Sequence, residues 1–283
     1  MIKPLLQDEA FLADVQKTAR EPAQLHLWWL GQSGFLVQWN GSHILLDPYL
    51  SDSLTAKYAA TDKPHIRMTE RVIAPDRLTF VHVVTSSHNH TDHLDGETLG
   101  PLIQANPAIR LIVPAANLEF AANRLQLPAG RLDPIETGTP LRLAGFEINA
   151  VPSAHETVEV DHVGRPRHVG LVVRAGPWTI YHSGDTVRYD SMVENLTRWK
   201  IDIALLPING RGRGVAGNLT GTEAAQLARD IGAGVVIPCH YDMFEFNTVR
   251  PDEFVRSATA IGQSYRLLQN GERFSLPVQN SSI

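Results

Sequence analysis

A single cysteine, Cys239, occurs among 283 residues. No disulfide can form within the chain, and the count suits a reducing compartment. No run of eighteen apolar residues is present, so no membrane-spanning helix is expected. The opening MIKPLLQDEAFLADVQKTAR interrupts its apolar positions with acids at helical spacing. It lacks the apolar core and cleavage site of a signal peptide. A cytoplasmic protein without stable membrane association is the expectation. Lysine and arginine number 25 against 30 acids, a formal charge of −5. They are not clustered as phosphate neutralisation requires, so no nucleic-acid partner is expected. The 18 prolines and 21 glycines are scattered, and neither a low-complexity linker nor a repeat of fixed period stands out.

With 43% hydrophobic residues, the chain has material for a sizeable core, and residues 1–283 read as one domain. Short apolar runs, LHLWWL, GFLVQW and HILLDP, alternate with the turns Gly31-Gln32-Ser33-Gly34 and Asn40-Gly41, predicting an N-terminal β-meander. LTFVHVVTSS predicts a further strand, and ETLGPLIQA after it has helical spacing. IRLIVP, FEINAVPS, HVGLVVRA, WTIYHSG, IDIALLPI and GVVIPCH follow as strands. Helices are predicted from near Ala115, over SMVENLTRW, over TEAAQLARDIG and over PDEFVRSATAIG. Thr220 and Glu223 have capping-box spacing. The order suggests an α/β protein in which two sheets pack together with helices outside.

The chemistry concentrates in SSHNHTDHLDG, residues 86–96. Histidine and carboxylate are the ligands that borderline divalent ions prefer. His88 and His90, two apart on an extended segment, project to the same side. Asp92 and His93 follow at once, giving one ligand pair for each of two neighbouring ions. A histidine-rich solvated turn with Asp92 or Asp95 as a helix cap is the bland alternative, and four potential ligands in six positions weigh against it. Four ligands do not complete two coordination spheres. His155, Asp185 and His240, each at the end of a predicted strand, are placed to supply the rest.

H-x-H-x-D-H at His88, His90, Asp92 and His93, then a lone histidine, a Gly-Asp and a final histidine at strand ends, resembles the metallo-β-lactamase superfamily. The resemblance runs from WLGQSGFLV near residue 29 to PCHYD near 241. It implies a four-layer αββα sandwich with metals at one edge. It also implies a first ion on His88, His90 and His155, a second on Asp92, His93 and His240, and Asp185 bridging both. WLGQSGF, LLDP and YHSGDT are similar to the branch containing ascorbate-6-phosphate lactonase. There Asp47 supports the site loop rather than binding metal. The complete set of five histidines and two aspartates favours hydrolysis: flavodiiron-type members carry Glu at the position of His90, and class B β-lactamases depart at that of Asp185.

The expected cofactors are two divalent ions, zinc or manganese, with iron admissible. A metal-bridging hydroxide, oriented by Asp92, then attacks a small anionic ester or lactone. Arg211 or Arg213, in the loop PINGRGRGVAGNLT, is a candidate for the substrate's anionic group, a solvated loop being the alternative. Glu156 and Tyr241 are candidate pocket residues beside the ligands. Gly212, Gly214 and Gly217 imitate a dinucleotide fingerprint but do not open a helix directly, as that motif requires. His182 reads as a packed strand histidine, Cys239 as buried and inert, and Trp28 and Trp29 as core. SHNHTDHLD also resembles the N-acyl-phosphatidylethanolamine phospholipase D group, which leaves a phosphodiesterase as the competing enzyme. A non-catalytic metal- or ligand-binding protein is the reading from another class. An oligomer is compatible with all three.

Overall fold

A computed structural model describes residues 1–211 and 217–276. Its first sheet has seven strands, six of them from the N-terminal half. These are β1 (Leu25–Gly31), β2 (Gly34–Trp39), β3 (Ser42–Leu46), β4 (Val83–Thr85), β5 (Arg110–Pro114) and β6 (Leu132–Ile135). The second sheet has six: β7 (Leu141–Leu143), β8 (Phe146–Pro152), β9 (Val169–Ala175), β10 (Trp178–His182), β11 (Ile203–Pro207) and β12 (Val235–Cys239). The last strand, β13 (Arg273–Leu276), returns to the first sheet and pairs antiparallel with β1. Both sheets are mixed. Hairpins join β1 to β2 to β3, while β3 through β6 run parallel, and parallel neighbours need the long crossovers that helices supply.

Along β1 the side chains alternate between two cores. Leu27 and Trp29 enter the cluster shared with the second sheet, and Trp28 and Leu30 the cluster beneath the outer helices. Phe35, Val37, Ile44 and Leu46 face inward in the same way, against Leu36 and Leu45 outward. A strand period of two divides one apolar run between two faces. Helices α1 (Asp8–Thr18), α3 (Gly96–Ala105) and α4 (Leu118–Leu125) cover the outer face through Phe11, Val15, Leu99, Leu102 and Ala121. On the other side α5 (Met192–Thr197), α6 (Gly221–Asp230) and α7 (Asp252–Ala260) contribute Met192, Leu227 and Phe254. The result is the α/β sandwich expected from the sequence. No helix among the described residues is long and apolar enough to cross a membrane.

Four elements escape the periodicity, the four-residue β13 among them. β6 carries Pro134, which its edge position tolerates because the missing N–H would face outward. The three-residue β7 is too short to show a period. Helix α2 (Ser53–Tyr58) is a single short turn-and-a-half within the long β3–β4 connection, and it lies over the rim where the motif emerges.

Candidate metal centre

β3 and β4 end side by side, and their ends build the support for the motif. Asp47, fully buried and at φ +41°, follows β3. Its carboxylate accepts from Thr85 Oγ1 at 2.9 Å, from the Ser87 backbone N–H at 3.0 Å and from the Ser87 hydroxyl. It also takes His93 Nδ1 at 2.7 Å. His93 is thereby fixed with Nε2 facing Asp185 Oδ1, 3.2 Å away, and Asp92 Oδ2, 3.8 Å away. Asp95 closes the loop by capping α3, accepting from the backbone N–H groups of Glu97 and Thr98.

The remaining residues converge from the second sheet. Asp185 follows β10 after Gly184, where φ is +59° and an added Cβ would lie 2.6 Å from Ser87 Oγ. Only glycine lets this turn approach the motif so closely. His155 follows β8, with Nδ1 held 3.0 Å from the Gly217 carbonyl and Nε2 3.8 Å from Asp185 Oδ2. His240 follows β12 at φ +63°, and its Nε2 lies 3.4 Å from both Asp92 Oδ2 and Asp185 Oδ2. His88 Nδ1 meets Ser87 Oγ at 3.0 Å, and His88 Nε2 meets His90 Nδ1 at 3.0 Å.

Two overlapping groups result, His88–His90–His155–Asp185 and Asp92–His93–Asp185–His240, each with its potential ligand atoms within 4.8 Å of one another. Asp185 belongs to both. Asp47 also lies within that distance of His88 and His93, but its oxygens are engaged with Thr85, Ser87 and the outer nitrogen of His93. Such partners orient ligating histidines.

Charge distribution separates the two groups. Burial opposes charge on His93, yet Asp185 and Asp92 outweigh it and hold its pKa well above the ordinary range. His240 is pushed up to about 9, burial opposing and Asp185 prevailing. For Asp185 burial favours the neutral acid, but His240 and His93 hold its pKa well below the usual carboxylate range. His88 is lowered well below the ordinary value by burial, then by His93. The second group thus calls for positive charge, while burial disfavours charge on His88 and His90 of the first. His93 Nε2 and Asp185 Oδ1 are buried and face each other at 3.2 Å without a well-aligned hydrogen bond, as suits two donors sharing an ion. The donor set therefore fits divalent metal.

Above these residues opens a cavity of about 390 Å³. Its walls include Gln32, Lys57, Tyr58, His65, Arg124 and Phe246. Tyr58 stacks on His65 at 4.5 Å between ring centroids. Lys57 bonds Thr91 Oγ1 and Arg124 the Asn89 carbonyl, and neither has a carboxylate partner among the described residues.

Of the substrate residues expected from the sequence, Arg211 is engaged elsewhere. It donates to the Asn218 carbonyl at 2.9 Å and pairs with Glu223, away from the cavity wall. Arg213, with Gly212 and Gly214, lies outside the described residues. Glu156 is exposed and does not line the cavity. Tyr241 turns into the core instead, its ring tilted against that of Trp29 with 4.8 Å between centroids, and it donates to the Leu268 carbonyl. His182 is a packed strand histidine donating to the Ser33 carbonyl at 2.8 Å. Cys239 is buried, and burial pushes its thiol well above the usual range.

Sequence reasoning missed the cavity cations Lys57 and Arg124, which come from helices with no motif. It also missed His168, whose ring packs 4.9 Å from that of His88. Gln32 went unremarked inside WLGQSGF. A polar side chain in a tight turn between two buried, mostly apolar strands was the available signal.

Two mixed sheets between helices, with aspartate and histidine gathered on one rim, define the metallo-β-lactamase fold class. The chain belongs to the β-lactamase superfamily domain family, whose model matches residues 26–240. A protein of Azorhizobium caulinodans named UPF0173 metal-dependent hydrolase is 26% identical over 259 residues, covering 89% of this chain and 100% of that one. Igni18, described as a metallo hydrolase of Ignicoccus hospitalis, shares the fold with TM-score 0.66 at 20% identity, covering 90% and 100% of the two chains. The metallo-β-lactamase fold protein YhfI of Bacillus subtilis gives 0.64 at 18%, covering 89% and 99%.

Proposed function

We propose that residues 1–283 act as one domain, a dinuclear metal-dependent hydrolase of small anionic esters, with lactone opening its most concrete form. The observation that carries this reading is Asp185, which belongs at once to two buried ligand groups on the floor of an open cavity. His88, His90, His155 and Asp185 hold one ion, and Asp92, His93, Asp185 and His240 the other. Two divalent ions, when bound, lower the pKa of water toward neutrality and polarise the bond under attack. Asp92, whose side chain exposes 14% of its surface at the cavity, orients the attacking water. Lys57 and Arg124 receive the anionic part of the substrate, taking the role assigned from sequence to the glycine-rich loop. The UPF0173 name of the A. caulinodans relative supports hydrolysis. Mixed nitrogen and oxygen donors without thiolate suit zinc or manganese.

The test is metal analysis of protein purified without added metal, paired with a screen of lactones and phosphate diesters. Two ions per chain and turnover of an anionic lactone are expected. One ion per chain, or turnover of diesters alone, overturns the reading. Asp185→Ala is expected to lose both ions and at least 100-fold in rate, since one carboxylate serves both groups.

A further inference from the structure

Gln32 occupies the tight turn between β1 and β2 and is 1% exposed. Its backbone sits at φ +49°, a conformation that costs a non-glycine residue free energy and that surrounding contacts must hold. Those contacts are present. The Gln32 carbonyl accepts from Trp29 Nε1 at 3.0 Å and from the His240 backbone N–H at 2.9 Å. The turn is therefore tied to the strand end that carries His240, and its carboxamide is aimed inward. Nε2 lies 2.7 Å from Asp92 Oδ2 and 3.0 Å from His240 Nε2. Oε1 is buried with no partner.

The spacings around this group have the form of a coordination shell. Asp92 Oδ2 and His240 Nε2 are 3.4 Å apart, His240 Nε2 and Asp185 Oδ2 3.4 Å, and His93 Nε2 and Asp185 Oδ1 3.2 Å. Donors bound to one ion at about 2.0–2.2 Å stand roughly 3.0 Å apart at right angles and roughly 3.4 Å apart at the tetrahedral angle. The amide head of Gln32 stands 3.0 Å from His240 Nε2, the right-angle spacing, and 2.7 Å from Asp92 Oδ2, a hydrogen-bond length that an ion between the two groups would widen. A half-turn about the last side-chain torsion exchanges its nitrogen and oxygen ends. With oxygen at that vertex the amide N–H2 moves to the position Oε1 now holds and the hydrogen bond to Asp92 is given up, so a cation shared with the Asp92 carboxylate has to replace it.

The geometry points to Gln32 as a further ligand, through its carboxamide oxygen, of the ion shared by Asp92, His93, Asp185 and His240. The assignment rests on the two-ion reading above. It makes the second site richer in oxygen than the first, which has three imidazoles, and so gives the two sites different metal preferences. Harder ions such as Mn2+ favour the site containing Gln32, and imidazole-rich surroundings favour Zn2+.

The test is titration of Zn2+ and Mn2+ against a competing chelator, with wild type, Gln32→Asn and Gln32→Glu. Asparagine tolerates the left-handed backbone but is one methylene too short to reach the ion. Glutamate keeps the reach and adds charge. Gln32→Asn is expected to weaken the second ion roughly 10- to 100-fold while leaving the first unchanged, with Gln32→Glu restoring or tightening it. In Co2+-substituted protein the visible absorption of the second site is expected to strengthen in Gln32→Asn, as its coordination number falls. Two ions bound equally tightly by wild type and Gln32→Asn, with an unaltered Co2+ spectrum, overturn the Gln32 assignment alone. One ion per wild-type chain overturns the two-ion reading and this assignment together. Unchanged melting temperatures of the metal-free variants separate loss of a ligand from loss of the fold.

Discussion

Asp47 shows how much of the proposed metal centre depends on a residue outside the proposed ligand set. Its carboxylate gathers Thr85, Ser87 and His93, so one side chain ties the motif to the end of β3 and sets which nitrogen of His93 is presented. Asp47→Asn keeps the volume and removes the charge. We expect metal affinity, measured by chelator competition, to fall about 10- to 100-fold with the rate falling in step. Unaltered affinity would show that His93 needs no such partner. At this scale the cluster of His88, His90, Asp92 and His93 was legible as a candidate, because four potential donors in six positions are informative by spacing alone. Asp185 and His240 are single residues and became candidates only through their places at strand ends and the family resemblance. Arg124 was illegible, since nothing in LEFAANRLQL marks one arginine as facing a cavity.

The working unit among the elements is the strand end. β3, β4, β8, β10 and β12 each deliver a site residue just past their last hydrogen bond, where the chain is free to turn while the sheet holds it in place. Sequence periodicity found these strands because their burial on both faces produces continuous apolar runs. It missed β6, β7 and β13, and α2, whose six residues are too few to display a helical stripe. The missed α2 carries Lys57 and Tyr58 to the cavity, so the cavity wall was the part least visible beforehand. Helix α6 behaved as its residues predict. Thr220 and Glu223 form a complete capping box, and Glu223 also holds Arg211. Thr220→Ala is expected to cost about 1 kcal/mol of stability, read by urea denaturation, with metal content unchanged. A fall in bound metal would connect this cap to the site more directly than the distances indicate.

For the molecule as a whole, the buried charge of the second ligand group makes stability depend on both pH and metal. His240 has a folded pKa of about 9 against an ordinary 6.5, and His93 is raised as well. In metal-free protein their protons stabilise the fold fully below about pH 6.5, and this contribution is lost as pH rises through 9. Metal requires both imidazoles neutral, so binding releases these protons and strengthens over the same interval. The gap in Tm between loaded and chelator-treated protein is therefore expected to widen from pH 6.5 to 9 in calorimetry. A gap independent of pH would contradict the protonation of His93 and His240. Taken by itself, the sequence determined the alternation of strands and helices, the α/β sandwich and the donor-rich loop, because periodicity and ligand spacing are local properties of the chain. Only the tertiary structure decided that Gln32 reaches Asp92 and His240, that Tyr241 faces the core, and that Lys57 and Arg124 share a cavity with the aspartates. Those juxtapositions join residues up to 208 positions apart, and they follow from how two sheets register at one rim.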